Sequence, residues 1–177
     1  MEEYVILEEV LRFREKKVKV QEELRDRHMG ETVVALGMNI PGPKKTSPHI
    51  LLAFEEGEKK LGRLFAEKGL EVSEEAEIKE KAGYLHFYSV KSSDALFVKG
   101  LTIQVEESHL LGRLFDIDVY DADGRGISRG ILGASPRKCL ICGQDAKICG
   151  RSRSHGLEEL YENVNNIIKL WLREETS

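Results

Sequence analysis

The run "FDIDV" at positions 115–119 sets Phe115, Ile117 and Val119 in alternation with Asp116 and Asp118. In a β-strand, residues two apart share a face, so both carboxylates project the same way, about 6.6 Å apart along the chain. The three apolar side chains then anchor the opposite face to a core. Two carboxylates on a rigid strand suit a magnesium ion that carries substrate phosphates, because magnesium takes one or two carboxylates and keeps several waters. The plain alternative is the wet face of an edge strand. Asp is disfavoured in strands, however, and two on one face repel each other, which calls for a cation or an arginine beside them. Glu106 is a candidate third ligand if "LTIQVE" (101–106) is a strand alongside, since it falls on the polar side of that alternation.

The second chemical group is cysteine. All three cysteines fall within eleven residues, and Cys139, Cys142, Cys149 and His155 follow the spacing C-x2-C-x6-C-x5-H. Three thiolates and an imidazole complete a tetrahedral zinc set with no open position, which implies a structural zinc. A redox or nucleophilic Cys139–Cys142 pair is the first alternative, and three thiols without chemistry the second. An iron–sulfur cluster usually takes four thiolates. An odd number of cysteines cannot pair completely within one chain, and in the cytosol clustered thiols read as ligands or catalysts before disulfides.

Charge surrounds this cluster unevenly. The chain of 177 residues carries a net −4, yet Arg125 to Arg153 holds seven Arg or Lys against Asp145 alone. That segment is +6 and the remainder −10, a pattern that suits an anionic ligand held locally. Overall acidity argues against a general nucleic-acid binder. The turn "NIPGPKK" (39–45) could offer backbone N–H groups, Lys44 and Lys45 to a phosphate. His109 is a candidate general base. No Walker loop, dinucleotide fingerprint or nucleophile elbow is present.

A single domain spanning 1–177, with the basic Cys/His segment 125–155 inside it, is expected from this length. Helical spacing of Leu7, Val10, Leu11 and Val18 predicts a helix over 4–28. "ETVVALGMNI" (31–40) reads as a strand stopped by "PGPKKTSP". A helix follows, with Leu51, Phe54, Leu61, Leu64 and Phe65 on one face and Gly69 as its C-terminal stop. Strands are predicted over 70–80 and 83–90, a short helix or turn over 91–100, and strands at 101–106, 114–121 and 126–130, the last two joined by a "DADG" turn. Leu157, Leu160, Tyr161, Val164, Ile168, Trp171 and Leu172 make the apolar stripe of a final helix. The expected class is α+β: an antiparallel or mixed sheet in a split βαβ arrangement with helices on one face, flanked by N- and C-terminal helices. No apolar run approaches a membrane span, and the acidic N-terminus lacks the features of an export signal. A cytoplasmic protein is expected.

"EESHLLGRLFDIDV", then Ser128–Arg129, then "PRKCLICGQDAKICGRSRSH" together resemble the apo-citrate lyase phosphoribosyl-dephospho-CoA transferase family, also called citrate lyase holo-acyl-carrier-protein synthase. The matching positions include Glu106, Ser108, His109, Gly112, Arg113, Asp116, Asp118, Arg129, Arg137, Cys139, Cys142, Cys149, Arg151 and His155, and "MNIPGPKK" is similar to the family's earlier turn. Phe115 stands where the family usually has Trp. The resemblance implies a nucleotidyl transfer. A serine of the citrate lyase acyl-carrier subunit attacks the innermost phosphate of 2′-(5″-triphosphoribosyl)-3′-dephospho-CoA, and pyrophosphate leaves. In that reading Asp116 and Asp118 hold magnesium, Arg113 with Arg129 or Arg137 binds the triphosphate, and His109 orients or deprotonates the serine. Glu106, Arg151 and Lys44 are further substrate contacts. The expected partners are the apo carrier subunit and this cofactor precursor, with no nucleic acid and no membrane. The competing readings are the equivalent transferase for the malonate decarboxylase carrier and a non-enzymatic, zinc-dependent nucleic-acid-binding protein.

Overall fold

Four antiparallel strands form one sheet in the computed structural model, which describes residues 4–176. In chain order the elements are α1 (Leu7–Arg27), β1 (Thr32–Met38), α2 (Pro48–Glu67), β2 (Val72–Glu80), β3 (Gly83–Val90), α3 (Ala95–Ser108), β4 (Phe115–Tyr120), a 3-10 turn (Arg129–Leu132), α4 (Ala146–Ser152) and α5 (Leu157–Glu175). The sheet order is β2-β3-β1-β4, and β1 pairs antiparallel with both β3 and β4. The β-α-β-β-α-β succession from β1 to β4 is the split βαβ arrangement.

Local sequence explains most element ends. Ser47 accepts a hydrogen bond from Ile50 N–H and Pro48 occupies the first helical turn, so α2 starts where its first unpaired amides are met. It stops at Gly69, whose φ of +66° is the left-handed region a side chain would resist. Asp94 caps α3 through Phe97 N–H.

The sheet is buried on both faces. Val34, Leu36, Tyr88, Val90, Phe115, Ile117 and Val119 pack with α2, α3 and α5 in the larger core. Val33, Ala35, Leu85 and Phe87 face the other way and meet Leu24 of α1, with Phe13 and Val20 beside them. The helices of the split βαβ unit, α2 and α3, share one face as expected, and the flanking helix α1 covers the other. Its inward stripe is Phe13, Lys17, Val20, Gln21 and Leu24. The predicted stripe points elsewhere, with Leu7, Leu11 and Val18 exposed. Tertiary burial against the sheet selected a face that contains a lysine and a glutamine over a face richer in aliphatics.

Two predicted strands are absent. "LTIQVE" continues α3 to Ser108. Its buried stripe, Ala95, Val98, Lys99, Thr102, Val105 and Glu106, has helical spacing, but Lys99, Thr102 and Glu106 make it look polar. Leu101 and Ile103 are buried as well, and that flank produced the false alternation. "GISRG" forms one isolated bridge, Tyr120 to Gly126, and then the 3-10 turn. The "DADG" reversal itself is present: Asp121 N–H donates to Arg125 C=O, and Gly124 N–H to Asp121 C=O.

Candidate active site

Strand β4 lies at the sheet edge, so the N–H and C=O groups on its outer side need partners beyond the ladder. Ile117 N–H donates to Glu106 Oε1 at 3.0 Å, and Ile117 C=O accepts from Lys99 Nζ at 2.7 Å. Phe115 C=O accepts from Arg137 Nη2 at 2.6 Å. Val119 C=O accepts from Ile127 N–H at 2.8 Å. Satisfying one edge strand thus draws α3 and the basic segment around Asp116 and Asp118.

Both carboxylates occupy the face of β4 that α1 covers, as the alternation predicts. Lys17 of α1 reaches Asp118 Oδ2 at 2.5 Å, and Arg137 Nη1 stands 3.4 Å from Asp116 Oδ1. Desolvation and then the neighbouring Asp118 charge raise the Asp116 carboxyl above its usual range. Its side chain retains about half its surface, 52%, so it is crowded by protein yet open to a ligand. Burial opposes the charged form of Lys17, but the charge and hydrogen bond of Asp118 outweigh it and raise the ammonium pKa.

Glu106 stands beside the pair, though from a helix and not from a neighbouring strand. Its Oε1 is engaged by Ile117 N–H, and Oε2 accepts from Arg129 Nη2 at 2.9 Å. With both oxygens committed, it serves as an organiser of the edge. Arg129 also donates to Ser135 C=O at 2.9 Å, and Arg137 to Arg113 C=O at 3.1 Å. Arg113, Arg129 and Arg137 are close enough that, after burial, the other two guanidinium charges lower the Arg113 pKa. A cleft of about 550 Å³ is lined by Lys99, Glu106, Asp116, Asp118, Arg129 and Arg137. Such a convergence of cations on a carboxylate pair can hold a polyphosphate and its counter-ion.

The other predicted residues lie elsewhere. His109 ends α3, and its ring rests on Phe115, 5.4 Å between centroids, on the core side of β4 away from the carboxylates. Its Nδ1 accepts from Leu111 N–H at 3.1 Å and its Nε2 is 3.5 Å from Glu56. Burial lowers its pKa against the pull of Glu56. The ring therefore stabilises the turn into β4. Gly112 in that turn is required by close approach: a Cβ there would stand 2.3 Å from Glu106 C=O. Arg151 is exposed on α4 and lines neither this cleft nor the next one described. Lys44 lies over the Tyr161 ring, 5.4 Å from its centroid, beside a separate hollow.

Cys139, Cys142, Cys149 and His155 do come together, with one ligand atom from each within 4.8 Å of all the others. Cys142 Sγ is 3.5 Å from Cys149 Sγ and 3.3 Å from His155 Nε2. A zinc–sulfur bond of about 2.3 Å sets tetrahedral sulfur–sulfur edges near 3.8 Å, so this cluster fits a zinc ion. Burial works against the Cys139 thiolate, but N–H groups of Cys142 and Ile141 and the neighbouring thiols bring it down to about 7. The hydrogen bond that the Cys149 thiol makes to Cys142, followed by burial, pushes Cys149 up to about 11. Cys139 N–H bonds Gln144 C=O and Ala146 N–H bonds Arg137 C=O, at 2.6 and 2.8 Å. The cysteine loop therefore closes on the backbone of Arg137. A cleft of about 500 Å³ joins Arg113, Cys139, Cys149 and His155.

Sequence reasoning missed Lys17 and Lys99. The signal for each was a lysine inside a helical stripe of buried residues. Lys99 is 6% exposed, and burial lowers its pKa while Glu106 pulls the other way.

The apo-citrate lyase phosphoribosyl-dephospho-CoA transferase family model matches residues 5–171. The chain is 38% identical over 164 residues to protein CitXG of Leuconostoc mesenteroides subsp. cremoris, covering 92% of this chain and 34% of that protein. It is 33% identical over 169 residues to the probable apo-citrate lyase phosphoribosyl-dephospho-CoA transferase of Streptococcus pyogenes serotype M1, covering 94% of this chain and 86% of that protein. The similarly named Vibrio cholerae protein is 32% identical over 163 residues, covering 92% of this chain and 91% of that protein. The chain thus spans about a third of the CitXG protein and most of the shorter relatives. With the site residues inside a match that runs nearly from end to end, the chain belongs to the apo-citrate lyase phosphoribosyl-dephospho-CoA transferase family.

Proposed function

We propose that this chain transfers the phosphoribosyl-dephospho-CoA group from 2′-(5″-triphosphoribosyl)-3′-dephospho-CoA to a serine of the citrate lyase acyl-carrier subunit, releasing pyrophosphate. The serine O–H bond and the bond from the innermost phosphorus to the pyrophosphate oxygen break. A serine oxygen–phosphorus bond forms, and one proton is released. The observation that carries this reading is the Asp116–Asp118 pair on one strand face, with Arg129, Arg137 and Lys99 around the same cleft. Family membership gives the reaction its substrate and acceptor.

Asp116 and Asp118 would hold a magnesium ion, whose repulsion-relieving charge suits two neighbouring carboxylates. When bound there, it would neutralise substrate phosphates. Arg113, Arg129 and Arg137 bind the triphosphate by charge-assisted hydrogen bonds. Arg129 and Arg137 are held before substrate arrives, because Arg129 is tied to Glu106 and Arg137 to the Phe115 carbonyl. Preorganised cations of this kind stabilise charge that grows on the phosphate under attack. Cys139, Cys142, Cys149 and His155 would hold zinc and keep the Arg137 loop rigid.

The test mixes the protein, magnesium, the cofactor precursor and the apo carrier subunit of citrate lyase, with the malonate decarboxylase carrier in parallel. The citrate lyase carrier gains the mass of one phosphoribosyl-dephospho-CoA group on its serine. A carrier left unmodified, with precursor in excess, overturns the assignment; modification of the other carrier alone moves it to that system.

A further inference from the structure

The cation cluster at the outer edge of β4 has a counterpart on the other side of Asp116. Asp116, Gly37 and Leu85 form one rank across β4, β1 and β3. Gly37 leaves the floor of that rank bare, since a Cβ there would stand 3.1 Å from Leu85 Cδ2. A hollow of about 220 Å³ opens over it, lined among others by Arg14, Lys17, Gly37, Lys45 and Asp116. Lys17 is held by Asp118. Lys45 is half-buried and donates to Ile40 C=O at 2.6 Å. Its pKa is drawn down by burial and then by the charge of Arg14. Arg14 has no carboxylate partner among the described residues. Arg14, Lys17 and Lys45 thus face a hollow whose lining holds one acid, Asp116, and an incoming anion relieves the repulsion among the cations.

On the basis of the transferase reading above, we propose that Arg14, Lys17 and Lys45 form a second polyphosphate subsite, across Asp116 from Arg129 and Arg137, and that it takes the leaving pyrophosphate. The substrate carries two polyphosphate groups, and one basic cluster cannot flank both ends of the reacting phosphorus. In-line displacement places the entering and leaving oxygens on opposite sides of that atom. The 550 Å³ cleft is the larger and can take the phosphoribosyl end of the retained group with the incoming serine, whereas the smaller hollow suits a compact inorganic anion. The assignment also explains why α1, remote in sequence from the acidic pair, lies over it.

Titration calorimetry with inorganic pyrophosphate and magnesium tests this without any transfer activity, so its outcome is separable from that of the carrier assay. Arg14→Ala and Lys45→Ala are each expected to weaken pyrophosphate binding roughly tenfold or more, the usual effect of losing a charge-assisted contact. Arg14→Lys retains most of the binding. Arg14 is exposed, so its variants should melt as the wild type does, and the same scan checks Lys45→Ala. Pyrophosphate affinity unchanged in both alanine variants, or no pyrophosphate binding by the wild type, overturns the proposal.

Discussion

The Glu106 carboxylate and the Arg129 guanidinium meet at 2.9 Å, the acid only 5% exposed and the base 18%. The same carboxylate takes the Ile117 amide, so one side chain couples α3, the edge strand and the basic segment. Truncating it leaves the Ile117 N–H without a partner and the shielded Arg129 guanidinium with only Ser135 C=O and the more distant Glu107. Glu106→Ala is expected to cost about 3 kcal/mol by urea unfolding. Glu106→Gln, which keeps an acceptor for Ile117, should cost less. Wild-type stability in the alanine variant would show that the pair organises nothing.

Metal removal tests the cysteine cluster. The purified protein is expected to carry about one zinc per chain, and a strong chelator should lower its melting temperature and its transfer rate together. The coupling arises because the cysteine loop closes on the Arg137 backbone. Protein free of metal, with melting unaffected by chelator or added zinc, would favour plain thiols over a zinc site.

What could be read from the sequence was chemistry held in local spacing. The alternation of Phe115, Asp116, Ile117, Asp118 and Val119 placed both carboxylates on one face, and the spacing of the cysteines and His155 anticipated their cluster. What could not be read depended on contacts distant in the chain. The stripe with Lys99 and Glu106 is a buried helix face because those two charges satisfy one edge residue, Ile117, a demand that no local window contains. The inward turn of Lys17 likewise follows from Asp118, 101 residues away. Glu106 was found for the wrong reason: its proximity to the acidic pair was correct, but the element carrying it was not.

His109 gives a pH prediction. Burial holds its pKa below the ordinary 6.5, so the fold favours neutral imidazole. Above 6.5 this contribution is complete. As pH falls below 6.5 the unfolded chain takes up the proton first, and stability declines until the folded-state pKa is passed. His109→Gln should flatten that part of the stability–pH curve, measured by denaturant unfolding at a series of pH values. An unchanged slope below pH 6.5 would mean that the ring ionises freely in the folded protein.

The acidic pair is the centre of the account, and single-turnover transfer in Asp116→Asn and Asp118→Asn tests it most directly. Each variant is expected to fold like the wild type, since neither side chain belongs to the apolar core. Each should slow carrier modification by about 100-fold or more, in line with losing a preorganised charge at a phosphoryl-transfer centre. Pyrophosphate release and carrier mass should fall in equal proportion. Wild-type rates of both in the two folded variants would contradict the account and leave Asp116 and Asp118 as the solvated side of an edge strand.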